Sequence, residues 1–295
     1  MVNFYEQIKQ NKNRSFYIII AFVLFVIIAS YFIALSLDFG NGFLIGAFIF
    51  SIFSSIGSFY YGDQIILGLN HAIPADRKKF FEFYTVTENL SIAAQTPMPK
   101  IYVIESPAMN AFATGRDPQH AIVCATTGLL EKLNRTQLEG VIGHELSHIK
   151  NYDIRLMMIV SILIGSLSLL TNIGYRSRFF GRDSDNERGD NSGIIALVGI
   201  LLMIFAPIIA KLMQFAISRR REYLADASAI KLTRQPSGLI EALEKLKQDK
   251  NILESASTAT ASLYISNPFK ENKINNLFST HPPIDDRIKA LREML

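Results

Sequence analysis

His144, Glu145 and His148 stand in the spacing H-E-x-x-H inside V-I-G-H-E-L-S-H-I-K-N-Y-D. On a helix, residues four apart share a face, so both imidazoles reach one Zn²⁺ while Glu145 lies beside them to take a proton from water. The chemistry that suits this arrangement is metal-activated hydrolysis. The plain alternative is a satisfied polar face of a helix. A catalytic zinc needs a third protein ligand and an open coordination position, and that ligand should come from a separate element. Glu222, in S-R-R-R-E-Y-L-A-D-A-S-A, is the best candidate, because its helix leaves an apolar segment where the His144 helix enters one. Its alternative role is a local salt bridge with Arg219 or Arg221. Asp226 follows one turn later on the same face, placed to orient a ligating imidazole through its other ring nitrogen. Glu187, Glu241, Glu244, Glu254 and Glu271 are weaker choices for the third ligand.

These residues need elements to hold them. Residues 136–152 read as a helix, with Thr136 as N-cap and Glu139 completing a capping box, and no breaker separates it from the apolar run that follows. Residues 216–232 contain no Gly or Pro and read as a second helix that ends before Pro236; Ala225, Ala227 and Ala229 allow it to approach the first closely. Residues 100–105 (K-I-Y-V-I-E) and 121–125 (A-I-V-C-A) are short β-branched runs and read as strands. Residues 237–248 and 284–294 read as short amphipathic helices.

Four stretches carry no charge: residues 16–37, 43–60, 156–174 and 194–210. Each runs for about 17 to 22 residues, enough to cross a hydrocarbon layer of roughly 30 Å. With 49% apolar and 19% charged residues, the chain is too apolar for an ordinary soluble protein. Lys9, Lys12 and Arg14 before the first stretch resemble the start of a signal peptide, but the apolar run is too long and lacks a small-residue cleavage site. It reads as an uncleaved anchor. A single cysteine, Cys124, excludes an intrachain disulfide and suits a reducing compartment. The net charge of +4 is modest and its cations flank apolar segments, so nucleic acid is not an expected partner. Lys9, Lys12, Arg14 and Arg219 to Arg221 favour both termini in the cytoplasm, whereas Arg176, Arg178, Arg182 and Arg188 oppose a fully crossing second pair. That pair either crosses or dips into the membrane and returns.

The expected fold is a mainly α membrane protein: four hydrophobic helices plus a soluble α+β zincin-like catalytic domain with a small edge-exposed sheet. Its parts are a transmembrane hairpin (1–62), a first catalytic part with the sheet and the H-E-x-x-H helix (63–155), a second hydrophobic pair (156–217) and a second catalytic part (218–295). The chain resembles the HtpX-type membrane metalloproteases, which are related to the CAAX prenyl endopeptidases. The resemblance is carried by N-A-F-A-T-G at 110–115, H-E-L-S-H-I-K-N-Y-D at 144–153, R-R-E-Y-L-A-D at 220–226, T-H-P-P at 280–283 and the two hydrophobic pairs. It implies one zinc on His144, His148 and Glu222, Glu145 as base, and a bacterial plasma membrane location with the active site facing the cytoplasm. It also implies a role in clearing damaged or misfolded membrane proteins. Through the same resemblance, Asn110, Ala111, Phe112 and Ala113 would lie along the cleft, where an edge strand pairs with extended substrate; an ordinary loop is the alternative. His281 would donate to the substrate oxyanion, or simply cap a helix start. Expected partners are unfolded membrane-protein segments and the lipid bilayer. A site-2-type intramembrane protease is a rival, though the chain has no L-D-G and Glu139, Lys150, Asn151 and Asp153 place the motif outside the lipid core. A nonenzymatic scaffold or transporter with a structural metal is another; it predicts no requirement for Glu145.

Overall fold

The computed structural model describes residues 4–37, 41–163, 165, 219–257, 260–269 and 282–294. The fourth apolar segment, most of the third, His281, Glu187 and Glu271 lie outside the described residues.

The chain begins with two long helices, α1 (Phe4–Leu37) and α2 (Asn41–Leu69), packed as a hairpin. Phe16, Leu24 and Ile28 on α1 and Ile45, Phe50 and Phe53 on α2 are each more than half exposed, as befits a surface that meets lipid rather than water. Among the described residues one stretch, Leu44–Leu69 in α2, is long and apolar enough to cross a membrane by length and composition, with a mean hydropathy of 1.6. The other three expected spans are not established. The described start of the third, residues 153–163, is helical (here α6), and its Leu156, Met158 and Ile159 are buried with Ile18, Phe22 and Ile66 of the hairpin. That part of the segment faces protein.

A four-stranded sheet follows: β1 (Ile73–Pro74), β2 (Lys100–Ile104), β3 (Ala111–Thr114) and β4 (Ile122–Thr126), in the order β1-β2-β4-β3. β2 and β4, the two strands expected from their β-branched runs, pair in parallel; β3 is antiparallel to β4. β3 is an edge strand in sheet order, yet its edge is not open. All four of its residues are buried, the Ile265 N–H donates to the Ala111 carbonyl at 2.9 Å, and Phe112 forms a bridge with Tyr264. The strand edge where Asn110, Ala111, Phe112 and Ala113 are expected to meet substrate is thus lined by the chain's own residues 264 and 265. A buried carbonyl left unpaired costs about 1–3 kcal/mol, so the chain's own backbone takes the place.

The remaining helices are α3 (Phe81–Ala94), α4 (Thr127–Lys132), α5 (Arg135–Lys150), α7 (Arg219–Thr233), α8 (Pro236–Gln248) and α9 (Ile284–Arg292). α5 runs through the middle of the core: Val141, Ile142, Leu146 and Ile149 are buried with Phe83 and Val86 of α3, Val123 of β4, Leu239 and Leu243 of α8, and Ile288 and Leu291 of α9. Its N-cap is Asn134, two residues before the expected Thr136. The Asn134 side chain accepts from the Gln137 N–H at 2.9 Å while Gln137 Oε1 accepts from the Asn134 N–H at 3.1 Å, so the capping box is present with other partners. The far end also departs from expectation. α5 does not continue into the apolar run: it stops at Lys150, Tyr152 takes a left-handed φ of 61°, and α6 starts afresh.

Candidate metal centre

The site is built on the face that α5 turns toward α7. A Cβ on Gly143 would lie 3.4 Å from the Cα of Ala229, and Ala225 and Ala229 are buried against α5. Small side chains at the crossing let the two helix axes come close. Glu222, in the first turn of α7, therefore reaches the two imidazoles. The His144 and His148 Nε2 atoms are 3.1 Å apart, and each is 3.6 Å from one Glu222 oxygen. All three side chains are buried, and their donor atoms lie within 4.8 Å of one another.

The opposite edge of each ring is held by a carboxylate. His144 Nδ1 is 2.8 Å from Asp226 Oδ1, and His148 Nδ1 is 3.1 Å from Asp153 Oδ2. An ionised carboxylate only accepts, so each Nδ1 carries a hydrogen and each Nε2 is the nitrogen turned toward a possible metal. Glu222 Oε2 faces His144 and Oε1 faces His148, so two ring nitrogens and one carboxylate converge where a cation would join them. Donors about 2.0–2.1 Å from one tetrahedral ion stand about 3.3–3.4 Å apart, close to the observed 3.1 and 3.6 Å. The donor set fits a divalent metal with nitrogen and oxygen ligands.

Behind Asp226 lies Arg287 of α9, fully buried. Its Nε and Nη2 donate to the two Asp226 oxygens at 2.9 and 2.6 Å, and its Nη1 donates to the Ile265 carbonyl at 3.0 Å. Burial opposes ionisation of Asp226, but Arg287 and the His144 hydrogen bond outweigh it and hold the carboxyl down at about 2. Burial, with Arg287 nearby, pushes His144 down to about 4. His148 moves the other way: burial works against its charge, but the Asp153 hydrogen bond and the carboxylates of Glu222, Asp153 and Glu145 raise it to about 9. In the metal-free protein, His148 is thus the ring that carries positive charge at neutral pH.

The structure brings together five of the residues singled out from sequence: His144, Glu145, His148, Glu222 and Asp226, all buried. His281 lies outside the described residues. Asn110 is turned toward the chain's own segment, with its Nδ2 donating to the Ser266 carbonyl at 3.0 Å. Two participants escaped the sequence reading. Asp153 served there only as a polar marker, because its role depends on the break at Tyr152. Arg287 left a legible signal: it falls among Ile284, Ile288 and Leu291 on the apolar side of an amphipathic helix, where a charge needs a buried partner.

An H-E-x-x-H helix joined by a glutamate from a second helix is the arrangement of a metallopeptidase, here in a chain with one helix long and apolar enough to cross a membrane. The chain belongs to peptidase family M48, whose profile matches residues 78–295. It is 42% identical to the Protease HtpX homolog of Streptococcus uberis, over 98% of this chain and 99% of that one. It is 44% identical to the Protease HtpX homolog of Dictyoglomus turgidum, over 99% and 95%. The crystal structure of S. mikatae Ste24p is similar in fold, with a TM-score of 0.52 at 20% identity, over 97% of this chain and 67% of that one.

Proposed function

We propose that this metallopeptidase is a zinc-dependent endopeptidase of the bacterial plasma membrane, multi-pass, with its active site facing the cytoplasm. Its substrates are unfolded or damaged segments of membrane proteins. The observation that carries the reading is the convergence of the His144, His148 and Glu222 donor atoms, each ring backed by its own carboxylate. These three residues would hold one zinc ion per chain. Bound there, zinc acidifies water and polarises a carbonyl. Glu145, buried beside His144, accepts the proton of the attacking water and passes it to the leaving amine, so the reaction needs no covalent intermediate. Asp226 and Asp153 keep both rings in the tautomer that binds metal. His281 donates to the oxyanion that develops on the substrate carbonyl. Substrate backbone that pairs along Asn110, Ala111, Phe112 and Ala113 has to displace residues 264–266 or lie beside them. Residues 63–155 and 218–295 form the catalytic part, and residues 1–62 and 156–217 anchor it.

The test is proteolysis of an unfolded membrane protein by the detergent-solubilised full chain. Glu145→Gln keeps the shape of the side chain but cannot accept the water proton, so the variant should bind zinc as the wild type does and lose at least about a hundredfold in turnover. Near-wild-type turnover in that variant would remove Glu145 from the mechanism.

A further inference from the structure

The amino-terminal helix reaches the metal centre. Around residue 11 the sequence reads K-Q-N-K-N-R, and Lys9, Gln10, Lys12 and Asn13 are exposed, but Asn11 is only 3% exposed. Ser15, one turn later, is buried beside it and donates to the Asn11 carbonyl at 2.9 Å. An asparagine that served only to start a membrane anchor would point to water, as its neighbours do. Instead its amide spends both hydrogens on the turn that ends the H-E-x-x-H helix: Nδ2 donates to the Asn151 carbonyl at 2.8 Å and to Asp153 Oδ1 at 2.7 Å. The other Asp153 oxygen accepts from His148.

We propose that Asn11 is a positioning residue of the metal centre, acting through Asp153 to hold the His148 imidazole in place. The inference rests on the reading of His148 as a metal ligand. Its physical basis is the geometry of the turn. Asp153 lies beyond the end of α5, after a left-handed Tyr152, a conformation that a bulky residue keeps only where its surroundings impose it. A carboxylate on such a turn orients a ring no better than the turn itself is held. α1 holds it twice, by the bidentate amide of Asn11 and by the Lys12 ammonium, which sits 4.3 Å from the centre of the Tyr152 ring. From the other side, Arg221 of α7 donates to the same Asp153 oxygen at 3.3 Å, one residue before Glu222. Asp153 is therefore where the anchor helix, the H-E-x-x-H helix and the helix of the third ligand meet. The amino-terminal helix is part of the site as well as a tether.

The experiment measures zinc affinity by chelator competition in the purified, detergent-solubilised full chain. It compares wild type with Asn11→Ala, Asn11→Asp, the exposed neighbour Asn13→Ala, Asp153→Asn and the double variant Asn11→Ala/Asp153→Asn. Removing a partner one step outside a metal's ligands, as Asp153 is, typically costs 10–100-fold in affinity; Asn11 stands one step further out, so Asn11→Ala should weaken zinc severalfold, up to about tenfold, and Asn13→Ala should not. Asn11→Asp keeps the side-chain shape but sets a carboxylate against Asp153, and it should be at least as damaging as Asn11→Ala. In the Asp153→Asn background, Asn11→Ala should cost nothing further. Wild-type affinity in Asn11→Asp would show a space-filling role and overturn the proposal, as would full additivity in the double variant. Glu222→Ala separates this failure from that of the underlying reading. If wild type and Glu222→Ala hold zinc equally, the metal site is elsewhere and both readings fall.

Discussion

His148 is the residue from which a pH dependence of the centre is expected. In the metal-free protein its pKa stands at about 9, above the ordinary 6.5, so below that pH a metal ion has to displace a proton to bind. Apparent zinc affinity should therefore rise by roughly tenfold per pH unit from pH 6 to pH 8, with close to one proton released per ion bound. Calorimetry in two buffers of different ionisation enthalpy measures both quantities. Equal affinity at pH 6 and pH 8 would contradict the assignment of His148 as the protonated ligand. The same raised pKa has a consequence for stability. The charged ring stabilises the metal-free fold fully below about 6.5, the value in the unfolded chain, and that contribution is lost as pH rises through about 9. Loading with metal should reverse the preference, because zinc takes only the neutral ring.

At the scale of elements, helix packing sets the distance from Glu222 to the imidazoles. α5 meets α7 at Gly143 and α8 at Gly140, and the two glycines differ in what surrounds them. A Cβ at residue 140 would stand 2.7 Å from the Leu239 nitrogen and 2.8 Å from its Cα, whereas at residue 143 the nearest atom is 3.4 Å away. Replacing Gly by Ala in a helix gains about 1 kcal/mol in propensity, while forcing a backbone apart costs about 1–3 kcal/mol. Gly140→Ala should thus lower the thermal unfolding midpoint and Gly143→Ala should leave it level or raise it, as read by intrinsic fluorescence in detergent. An equal response of the two variants would mean that the α5–α8 contact yields without cost. The break at Asn151 and Tyr152 belongs to this scale as well. An unbroken helix would carry Asp153 on past the site, and only the turn brings its carboxylate back to His148.

Over the whole molecule, the hairpin and the catalytic part are tied at both ends of the hairpin. Asn11 bonds to Asp153 near the start of α1, and just beyond α2 Asn70 Oδ1 accepts from the Tyr264 hydroxyl at 2.7 Å. Between them, a Cβ on Gly62 would stand 2.7 Å from Ile162 of α6, so α2 and α6 pack at close range. A metal held by His144, His148 and Glu222 would tie α5 to α7 in the folded state alone, and an ion at a hundredfold excess over its dissociation constant adds about 2.7 kcal/mol to stability. Chelation should accordingly lower the unfolding temperature of the full chain in detergent by several degrees, and added zinc should restore it. Identical melting with and without chelator would place the ion outside the folded core.

The chemistry of the centre was legible in the sequence because it is local. H-E-x-x-H needs only helical spacing to put two imidazoles on one face, and Glu222 and Asp226 repeat that spacing on a second helix. Charge-free runs of membrane length are equally local, and α2 is a helix long and apolar enough to be one by length and composition. What depends on long-range approach could not be read there. The cover over β3 joins residues about 150 positions apart, and the Asn11–Asp153 bond spans 142. Asp153 and Arg287 acquire their roles only when a left-handed turn and the burial of α9 bring charges into a core where each must find a partner. Sequence spacing determines which side chains share a face; only tertiary packing decides which faces meet, because burial makes an unpaired polar group costly and so selects its neighbour.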